Sequence, residues 1–124
     1  MEVSKVLLVE DNENLLFVVQ ERLKSEGYEI RVARDAVEGY LAFLLFKPDL
    51  VITDLQLPGE NGLELMSRIR KVNDCKVRTI YVSGNLERFH TELEQEKGKP
   101  EVRLLAKPFS GSDLMSLVHE HWPW

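Results

Sequence analysis

The sequence is poor in cysteine and lacks any long hydrophobic run. Its single cysteine, Cys75, excludes an internal disulfide, and the polar stretch 72–76 around it favours a loop residue over a nucleophile or a metal ligand. No apolar run approaches the roughly 20 residues that a membrane-spanning helix needs. The amino terminus leads directly into a predicted strand, without the pattern of a signal peptide. We therefore expect a cytoplasmic domain that makes no membrane contact.

Basic charge is also scarce. The chain has 16 Lys and Arg residues against 21 Asp and Glu residues, and its net charge is −5. This balance argues against the basic face that is typical of nucleic-acid-binding proteins. With 44% hydrophobic and 30% charged residues, the composition is that of an ordinary globular protein, and 124 residues fit one domain over 1–124.

Apolar runs and helical patterns alternate along the whole chain. Five runs predict strands: 5–9, 29–33, 50–52, 77–82 and 102–106. The central run, 50–52, lacks the alternation of a half-buried strand, so we expect both of its faces to be covered. The fourth helix has the weakest pattern, a narrow stripe of Leu86, Phe89 and Leu93 in a polar segment that extends to Lys99. Five strands alternating with five helices predict an α/β fold with a parallel sheet.

Polar side chains follow four of the predicted strands at the point where each strand ends. They are Glu10, Asp11, Asp54, Ser83, Gly84 and Lys107. Because the carboxyl ends of parallel strands share one edge of a sheet, we expect these residues to lie close together. Three carboxylates would repel one another there unless a hard cation joined them, and Mg²⁺ prefers such oxygen ligands. Asp54 alone would equally suit the common role of capping a turn, but its neighbours favour chemistry.

These residues together supply the parts of a phosphoryl-transfer site. A metal with open positions would hold a phosphoryl group against Asp54, and Lys107 would bring a cation to a second oxygen. The Ser83 hydroxyl and the Gly84 N–H would suit the third oxygen, with glycine allowing the backbone to come close. Attack by a carboxylate on phosphorus would give an acyl phosphate.

Several motifs occur in a fixed order from residue 5 to about residue 121, which we take as the core of the domain. They lie at 7–12, at 48–55 with 57–59 and Gly62, at 81–84 and at 105–109. Together they resemble a response-regulator receiver domain of two-component signalling. This resemblance implies a flavodoxin-like fold, with five parallel strands in the order 2-1-3-4-5 and helices on both faces. It also implies a cis peptide bond between Lys107 and Pro108.

The resemblance further implies a role for each strand-end residue. Asp54 accepts a phosphoryl group from a phosphohistidine on a histidine kinase or a histidine phosphotransfer protein. The Mg²⁺ ligands are Glu10, Asp11, Asp54 and the backbone carbonyl of Gln56. Phosphoryl oxygens are bound by Ser83, Gly84 and Lys107. The implied function is a phosphorylation-controlled switch or relay that promotes its own phosphorylation and dephosphorylation and is not an enzyme for an external substrate.

Two other classes of protein fit the pattern less well. A flavodoxin would need a loop rich in Ser, Thr and Gly after the first strand, whereas the acidic segment 10–13 would repel a flavin phosphate. A Mg²⁺-dependent phosphatase of the dehalogenase type also uses an Asp nucleophile, but it needs a second Asp two residues later as general acid. Gln56 stands at that position and is unable to donate a proton in this way.

The resemblance also points to positions that bear on hydrolysis and on output, and at the output positions the chain departs from the family. Gln56 and Asn85 flank the path that the hydrolytic water takes in the family, and both are neutral amides that orient water without acting as a base. Leu104 replaces the aromatic residue that switches position in many receivers. The segment around Arg103 lacks the acidic pattern that supports pairing through helix four, strand five and helix five. We therefore expect a monomer that signals through a separate protein.

Overall fold

A computed structural model describes residues 3–72, 74–120 and 122. Its strands are β1 (Lys5–Val9), β2 (Glu29–Ala33), β3 (Leu50–Asp54), β4 (Arg78–Ser83) and β5 (Val102–Ala106). Its helices are α1 (Glu13–Ser25), α2 (Ala36–Phe46), α3 (Gly62–Arg70), α4 (His90–Glu94) and α5 (Gly111–Val118), with a 3₁₀ turn at Leu86–Phe89. Among the residues described, no helix is both long enough and apolar enough to cross a bilayer.

The five strands form one parallel sheet in the order β2-β1-β3-β4-β5. β3 lies at the centre between β1 and β4, and all of its residues are buried, as its continuous apolar run predicts. β2 lies at one edge, where exposed and half-buried residues alternate up to the buried Ala33. The predicted α/β class and strand order are confirmed. β1, β2 and β5 have the predicted bounds, whereas β4 lies one residue later than predicted.

Apolar side chains cover both faces of the sheet. The face that carries Leu7 and Val51 packs against α2, α3 and α4, and the face that carries Leu8 and Ile52 packs against α1 and α5. Side chains alternate between the two faces along a strand, so a strand covered on both sides has to be apolar throughout. This three-layer packing leaves the two ends of the strands as the places where polar groups gather.

Side-chain caps fix where the helices begin after the strand ends. Asn12 and Asp35 each accept a hydrogen bond from the backbone N–H three residues later, at 3.0 and 2.7 Å. Asn61 and Ser110 form complete capping boxes with the acidic residues three positions on. These caps hold the loops that surround the carboxyl edge of the sheet.

The fourth helix is much shorter than the pattern up to Lys99 predicts. The chain makes a 3₁₀ turn at Leu86–Phe89 and then an α-helix of only 5 residues, His90–Glu94. Phe89 and Leu93 are the buried residues of this segment, so its apolar stripe is too narrow to support a long helix. The sequence indicated a fourth helix with a weak pattern, and the structure contains a short one that ends before the polar segment does.

After α4, the chain is held in place by the contacts of a buried carboxylate rather than by a stripe of apolar side chains. Glu96 is 8% exposed. Its Oε1 accepts hydrogen bonds from the Tyr81 hydroxyl at 2.8 Å and from Arg70 Nη1 at 2.6 Å, and its Oε2 accepts one from Lys99 Nζ at 2.5 Å. We call these four residues the Glu96 cluster. Burial raises the pKa of Glu96, but the hydrogen bonds from Lys99, Arg70 and Tyr81 outweigh burial, so this pKa lies below its ordinary value.

Candidate functional site

Three carboxylates meet at the carboxyl edge of the sheet, as predicted. One ligand oxygen from each of Glu10, Asp11 and Asp54 lies within 4.8 Å of the other two. Glu10 follows β1 and is 4% exposed, Asp54 ends β3 and is 6% exposed, and Asp11 is exposed. The acidic group therefore reaches from the interior to solvent.

Lys107 joins the two buried carboxylates. Its Nζ lies 2.7 Å from Oδ2 of Asp54 and 2.9 Å from Oε1 of Glu10. Burial lowers the pKa of Lys107, but its hydrogen bonds to Asp54 and Glu10 outweigh burial and bring the pKa above its ordinary value. Lys107 therefore stays charged. The bond between Lys107 and Pro108 is cis, as the resemblance implied.

Backbone N–H groups orient the remaining carboxylate oxygens. The N–H of Gln56 donates to Oδ1 of Asp54, and the N–H of Asn12 donates to Oε2 of Glu10, both at 3.0 Å. Burial nevertheless raises the pKa of Glu10. The negative charge of Asp54 adds to this effect, and the hydrogen bonds from Asn12 and Lys107 only reduce it. The group thus carries negative charge that one lysine does not neutralise, and its ligands are all hard oxygen atoms. Both properties fit Mg²⁺.

Ser83 and Gly84 lie beside this group at the end of β4. Asp54 pairs with Val82 in the sheet, so Ser83 stands one residue beyond the level of Asp54. Ser83 is 1% exposed, and its hydroxyl oxygen accepts the N–H of Asn85 at 3.0 Å. A Cβ at position 84 would meet Cβ of Lys107 at 3.9 Å, an ordinary contact, so space does not require glycine there. The binding of phosphoryl oxygens by Ser83 and Gly84 stays a prediction.

Gly62 supports Asp54 in a way that the sequence did not reveal. A Cβ on Gly62 would lie 2.3 Å from the backbone oxygen of Asp54, and the N–H of Gly62 donates to the carbonyl of Leu55 at 3.0 Å. The first turn of α3 thus packs directly on the backbone that carries the acidic side chain. The only signal in the sequence was the turn pair Asn61-Gly62, which indicates a turn but not this close approach.

The two predicted hydrolysis positions are both exposed. Gln56 contributes the N–H that binds Asp54. Asn85 has a structural task as well, because its Oδ1 accepts the N–H of Arg88 at 3.1 Å and so caps the 3₁₀ turn. A substitution at 85 therefore has to keep a capping side chain if hydrolysis alone is to be tested.

The predicted output residues of β5 contact other parts of the same chain. Leu104 pairs in register with Tyr81 of β4, whose ring is fully buried. Arg103 Nε lies 2.7 Å from Oε1 of Glu120, and its guanidinium carbon lies 4.7 Å from the ring centroid of Trp122. The role of Leu104 and Arg103 in output stays a prediction. Reversing the charge of Arg103 would also disturb these internal contacts.

Comparison with known proteins agrees with the fold. A family model, described as the response regulator receiver domain, matches residues 6–119. The chain belongs to this family. The protein is therefore a receiver domain, a phosphoacceptor signalling switch with a flavodoxin-like fold, and receiver domains are not generally classed as enzymes.

Individual relatives place the receiver in proteins of different lengths. Sporulation initiation phosphotransferase F of Bacillus subtilis (strain 168) is 28% identical over 123 residues, covering 97% of this chain and 94% of that protein. The uncharacterized transcriptional regulatory protein YvcP of the same strain is 30% identical over 114 residues, covering 92% of this chain but only 46% of that protein. The receiver thus spans about half the length of some curated relatives.

A solved structure shows the same fold. The CheY-like response regulator receiver domain protein from Methanospirillum hungatei JF-1 matches with a TM-score of 0.82 and 25% sequence identity. The match covers 94% of this chain and 91% of that one. The strand order and helical layers described above are therefore those of the family.

Proposed function

We propose that Asp54 is the phosphoacceptor of this receiver and that the reaction requires Mg²⁺. The observation that carries the proposal is the position of Lys107 Nζ, 2.7 Å from Asp54 and 2.9 Å from Glu10. With Asp11 completing the acidic group, positive and negative groups surround a single carboxylate at the rim of the sheet. Phosphoryl transfer depends on this combination of positioning and charge neutralisation.

In the proposed reaction, a carboxylate oxygen of Asp54 attacks the phosphorus of a phosphohistidine. A P–O bond forms as the P–N bond breaks, and the electron pair of that bond returns to the imidazole of the donor. The products are an acyl phosphate on Asp54 and a free histidine. Lys107 holds the attacking carboxylate before transfer and offers its charge to a phosphoryl oxygen afterwards, with Ser83 and Gly84 as further donors.

Glu10, Asp11, Asp54 and the Gln56 carbonyl would hold the metal ion. When bound, Mg²⁺ would neutralise charge on the transferring phosphoryl group. The exposed position of Asp11 gives the ion access from solvent, while the buried carboxylates of Glu10 and Asp54 provide ligands that are already oriented by backbone N–H groups.

The phosphatase alternative has no support in the site. Gln56 occupies the position where that reaction needs a second carboxylic acid. Its side chain is exposed and neutral, so it orients water without delivering a proton. We therefore expect the phosphorylated protein to be hydrolysed within its own site without a general acid at position 56.

Membership in the family implies a histidine kinase or a histidine phosphotransfer protein as the phosphoryl donor. We further propose that this chain makes no direct contact with nucleic acid, because its net charge is −5. Phosphorylation is also expected not to create a dimer through β5, where Arg103 already binds Glu120 and packs on Trp122. The signal would then leave through a separate protein.

Intact-protein mass spectrometry tests the proposal. Acetyl phosphate with Mg²⁺ should add one phosphoryl group to the wild-type chain, and Asp54→Asn should abolish the addition without unfolding the protein. Asp35→Asn is the matched control, because it makes the same chemical change at a helix cap where Asn serves as well as Asp. It should be labelled like the wild type.

Two results would contradict the proposal. Labelling of the Asp54→Asn variant to the wild-type level would place the acceptor elsewhere. Labelling that persists unchanged in the presence of EDTA would remove the requirement for a divalent cation. Circular dichroism of each variant shows whether a loss of labelling reflects a loss of fold.

A further inference from the structure

The segment that follows β4 forms a loop that is closed back onto the same strand. The chain leaves β4 at Ser83, makes the 3₁₀ turn and the short helix α4, and then reaches Glu96. There Oε1 of Glu96 accepts a hydrogen bond from the Tyr81 hydroxyl at 2.8 Å. We call residues 84–95 the α4 loop and the Tyr81–Glu96 hydrogen bond its clasp. One strand thus holds both ends of the loop.

The clasp is buried and keeps its hydrogen bond at neutral pH. Tyr81 is fully buried, and Glu96 is 8% exposed. Burial raises the pKa of Tyr81, so its hydroxyl stays protonated and donates, while the lowered pKa of Glu96 keeps it an ionised acceptor. Within the α4 loop, all of which the structure describes, only Phe89 and Leu93 are buried. Much of what fixes this loop therefore lies at its closing bond.

The other end of the α4 loop reaches the phosphoryl site. Ser83 stands two residues beyond Tyr81, so both side chains point to the same face of the sheet. The N–H of Asn85 donates to Oγ of Ser83 at 3.0 Å, and Oδ1 of Asn85 caps the turn that follows by accepting the N–H of Arg88. Because Oγ of Ser83 accepts a hydrogen bond from the loop, its own proton remains to be donated to another acceptor.

We propose that Tyr81 and Glu96 are positioning residues of the phosphoryl site and act through the α4 loop. With the clasp closed, the loop holds the Ser83 hydroxyl and the Gly84 N–H in place before a phosphoryl group arrives. With the clasp open, these donors have to be ordered during transfer, which makes transfer slower. The proposal rests on the proposed function, with Asp54 as phosphoacceptor and with Ser83 and Gly84 as groups that bind phosphoryl oxygens.

The proposed metal ligands lie outside this loop. Glu10 and Asp11 follow β1, Asp54 ends β3, and Gln56 lies two residues beyond it. Opening the clasp should therefore slow phosphorylation without changing the affinity for Mg²⁺. A loss of fold would lower both quantities, so measuring the two together separates positioning from stability.

Labelling rates with acetyl phosphate at saturating Mg²⁺ test the proposal. Tyr81→Phe keeps the ring and removes the hydroxyl, and we expect it to be labelled about fivefold more slowly than the wild type, the effect of one ordinary hydrogen bond. Tyr40→Phe is the matched control, because it removes a tyrosine hydroxyl from α2, outside the α4 loop, and should be labelled like the wild type. Circular dichroism sets a temperature at which every variant is folded.

Two substitutions at Glu96 separate the clasp from the stability of the fold. Glu96→Gln retains an oxygen that accepts the Tyr81 hydroxyl but loses the charge that stabilises its basic neighbours. It should therefore be less stable than the wild type and yet be labelled at nearly the wild-type rate. Glu96→Ala removes the acceptor, so it should be labelled as slowly as Tyr81→Phe.

Three results would overturn the proposal. The first is labelling of Tyr81→Phe at the wild-type rate. The second is equal slowing of Glu96→Gln and Glu96→Ala, which would mean that stability sets the rate. The third is an affinity for Mg²⁺ that falls together with the rate in Tyr81→Phe.

Amide hydrogen exchange distinguishes failure of the clasp from failure of the acceptor assignment. Exchange over residues 84–95 is measured without any phosphoryl donor, so it does not depend on Asp54. It should be several-fold faster in Tyr81→Phe than in the wild type and unchanged in Tyr40→Phe. Equal exchange in all three proteins would overturn the clasp, whereas a wrong acceptor would appear as labelling of Asp54→Asn.

Discussion

Replacing Glu96 with Gln should destabilise the receiver by about 2 kcal/mol near pH 7. The substitution keeps the size of the side chain and an oxygen for the Tyr81 hydroxyl, but it removes the negative charge that faces Arg70 and Lys99. The Arg70 side chain is only 17% exposed, so it would be left as a buried and unpaired cation. Lys99 is 39% exposed and reaches water, so its share of the loss is small.

The destabilisation should depend on pH in one direction. The folded-state pKa of Glu96 lies below the ordinary value of 4.5, so its charge stabilises the fold above that pH. The stabilisation is lost as pH falls through the lowered folded-state pKa. Urea unfolding of the wild type and Glu96→Gln should therefore show the full difference at about pH 7 and a smaller difference at about pH 4.

Glu94→Gln is the control for this experiment. Glu94 is 53% exposed and pairs with His90 and Lys97 at the surface, so its loss should change the free energy of unfolding by less than about 0.5 kcal/mol. Equal stability of Glu96→Gln and the wild type at neutral pH would refute the reasoning. A difference that widens on acidification would refute it as well.

Three further predictions concern the site and the assembly. Gln56→Ala and Asn85→Ser should change the lifetime of the phosphorylated protein while leaving Mg²⁺ affinity nearly unchanged; unaltered lifetimes in both would rule out their role in positioning water. At a Mg²⁺ concentration ten times the dissociation constant of the ion, the free energy of unfolding of the wild-type protein should rise by about 1.4 kcal/mol. The Asp11→Asn variant should show no such gain. Thermal denaturation with and without the ion measures both. Beryllofluoride should leave the wild-type protein monomeric in sedimentation, because Leu104 provides no aromatic switch at β5; a dimer would contradict this account of output.

The sheet could be predicted because its strands have local signatures. The predicted strands at 5–9, 29–33 and 102–106 coincide with observed strands. The inner strand at 5–9 is largely apolar because helices cover both of its faces, whereas the edge strand at 29–33 shows the alternation of a partly exposed strand. Periodicity alone predicted parallel strands but not their order. The order 2-1-3-4-5 came from the resemblance to receiver domains, and the structure confirms it.

The region after α4 could not be predicted because its contacts are not local. Glu96 appears in the sequence as one more charged residue of a polar segment. Its burial depends on Tyr81 from β4 and Arg70 from α3, which approach it only in the folded chain. A pattern of apolar spacing contains no information about such a cluster, so the sequence indicated a weak fourth helix without showing where it ends or what holds the chain after it.

The candidate site likewise has features that could be predicted from the sequence and features that could not. Grouping of Glu10, Asp11 and Asp54 follows from their positions at strand ends, and the structure brings them together. The need for glycine at 62 depends on the distance from α3 to the backbone of Asp54, which no local pattern contains. The reason for glycine at 84, close approach of its backbone to a phosphoryl oxygen, stays a prediction; within the chain, a Cβ there would make only an ordinary contact with Lys107.

The central claim is that Asp54 becomes an acyl phosphate, and chemical trapping tests it most directly. Borohydride reduces an acyl phosphate on Asp to homoserine, and peptide mass spectrometry then identifies the residue. After phosphorylation from a histidine phosphotransfer protein with Mg²⁺, we predict homoserine at position 54, none at position 11, and no 5-hydroxynorvaline, the corresponding product of a glutamate, at position 10. Homoserine at another position, or a phosphorylated protein without reducible phosphate, would contradict the account.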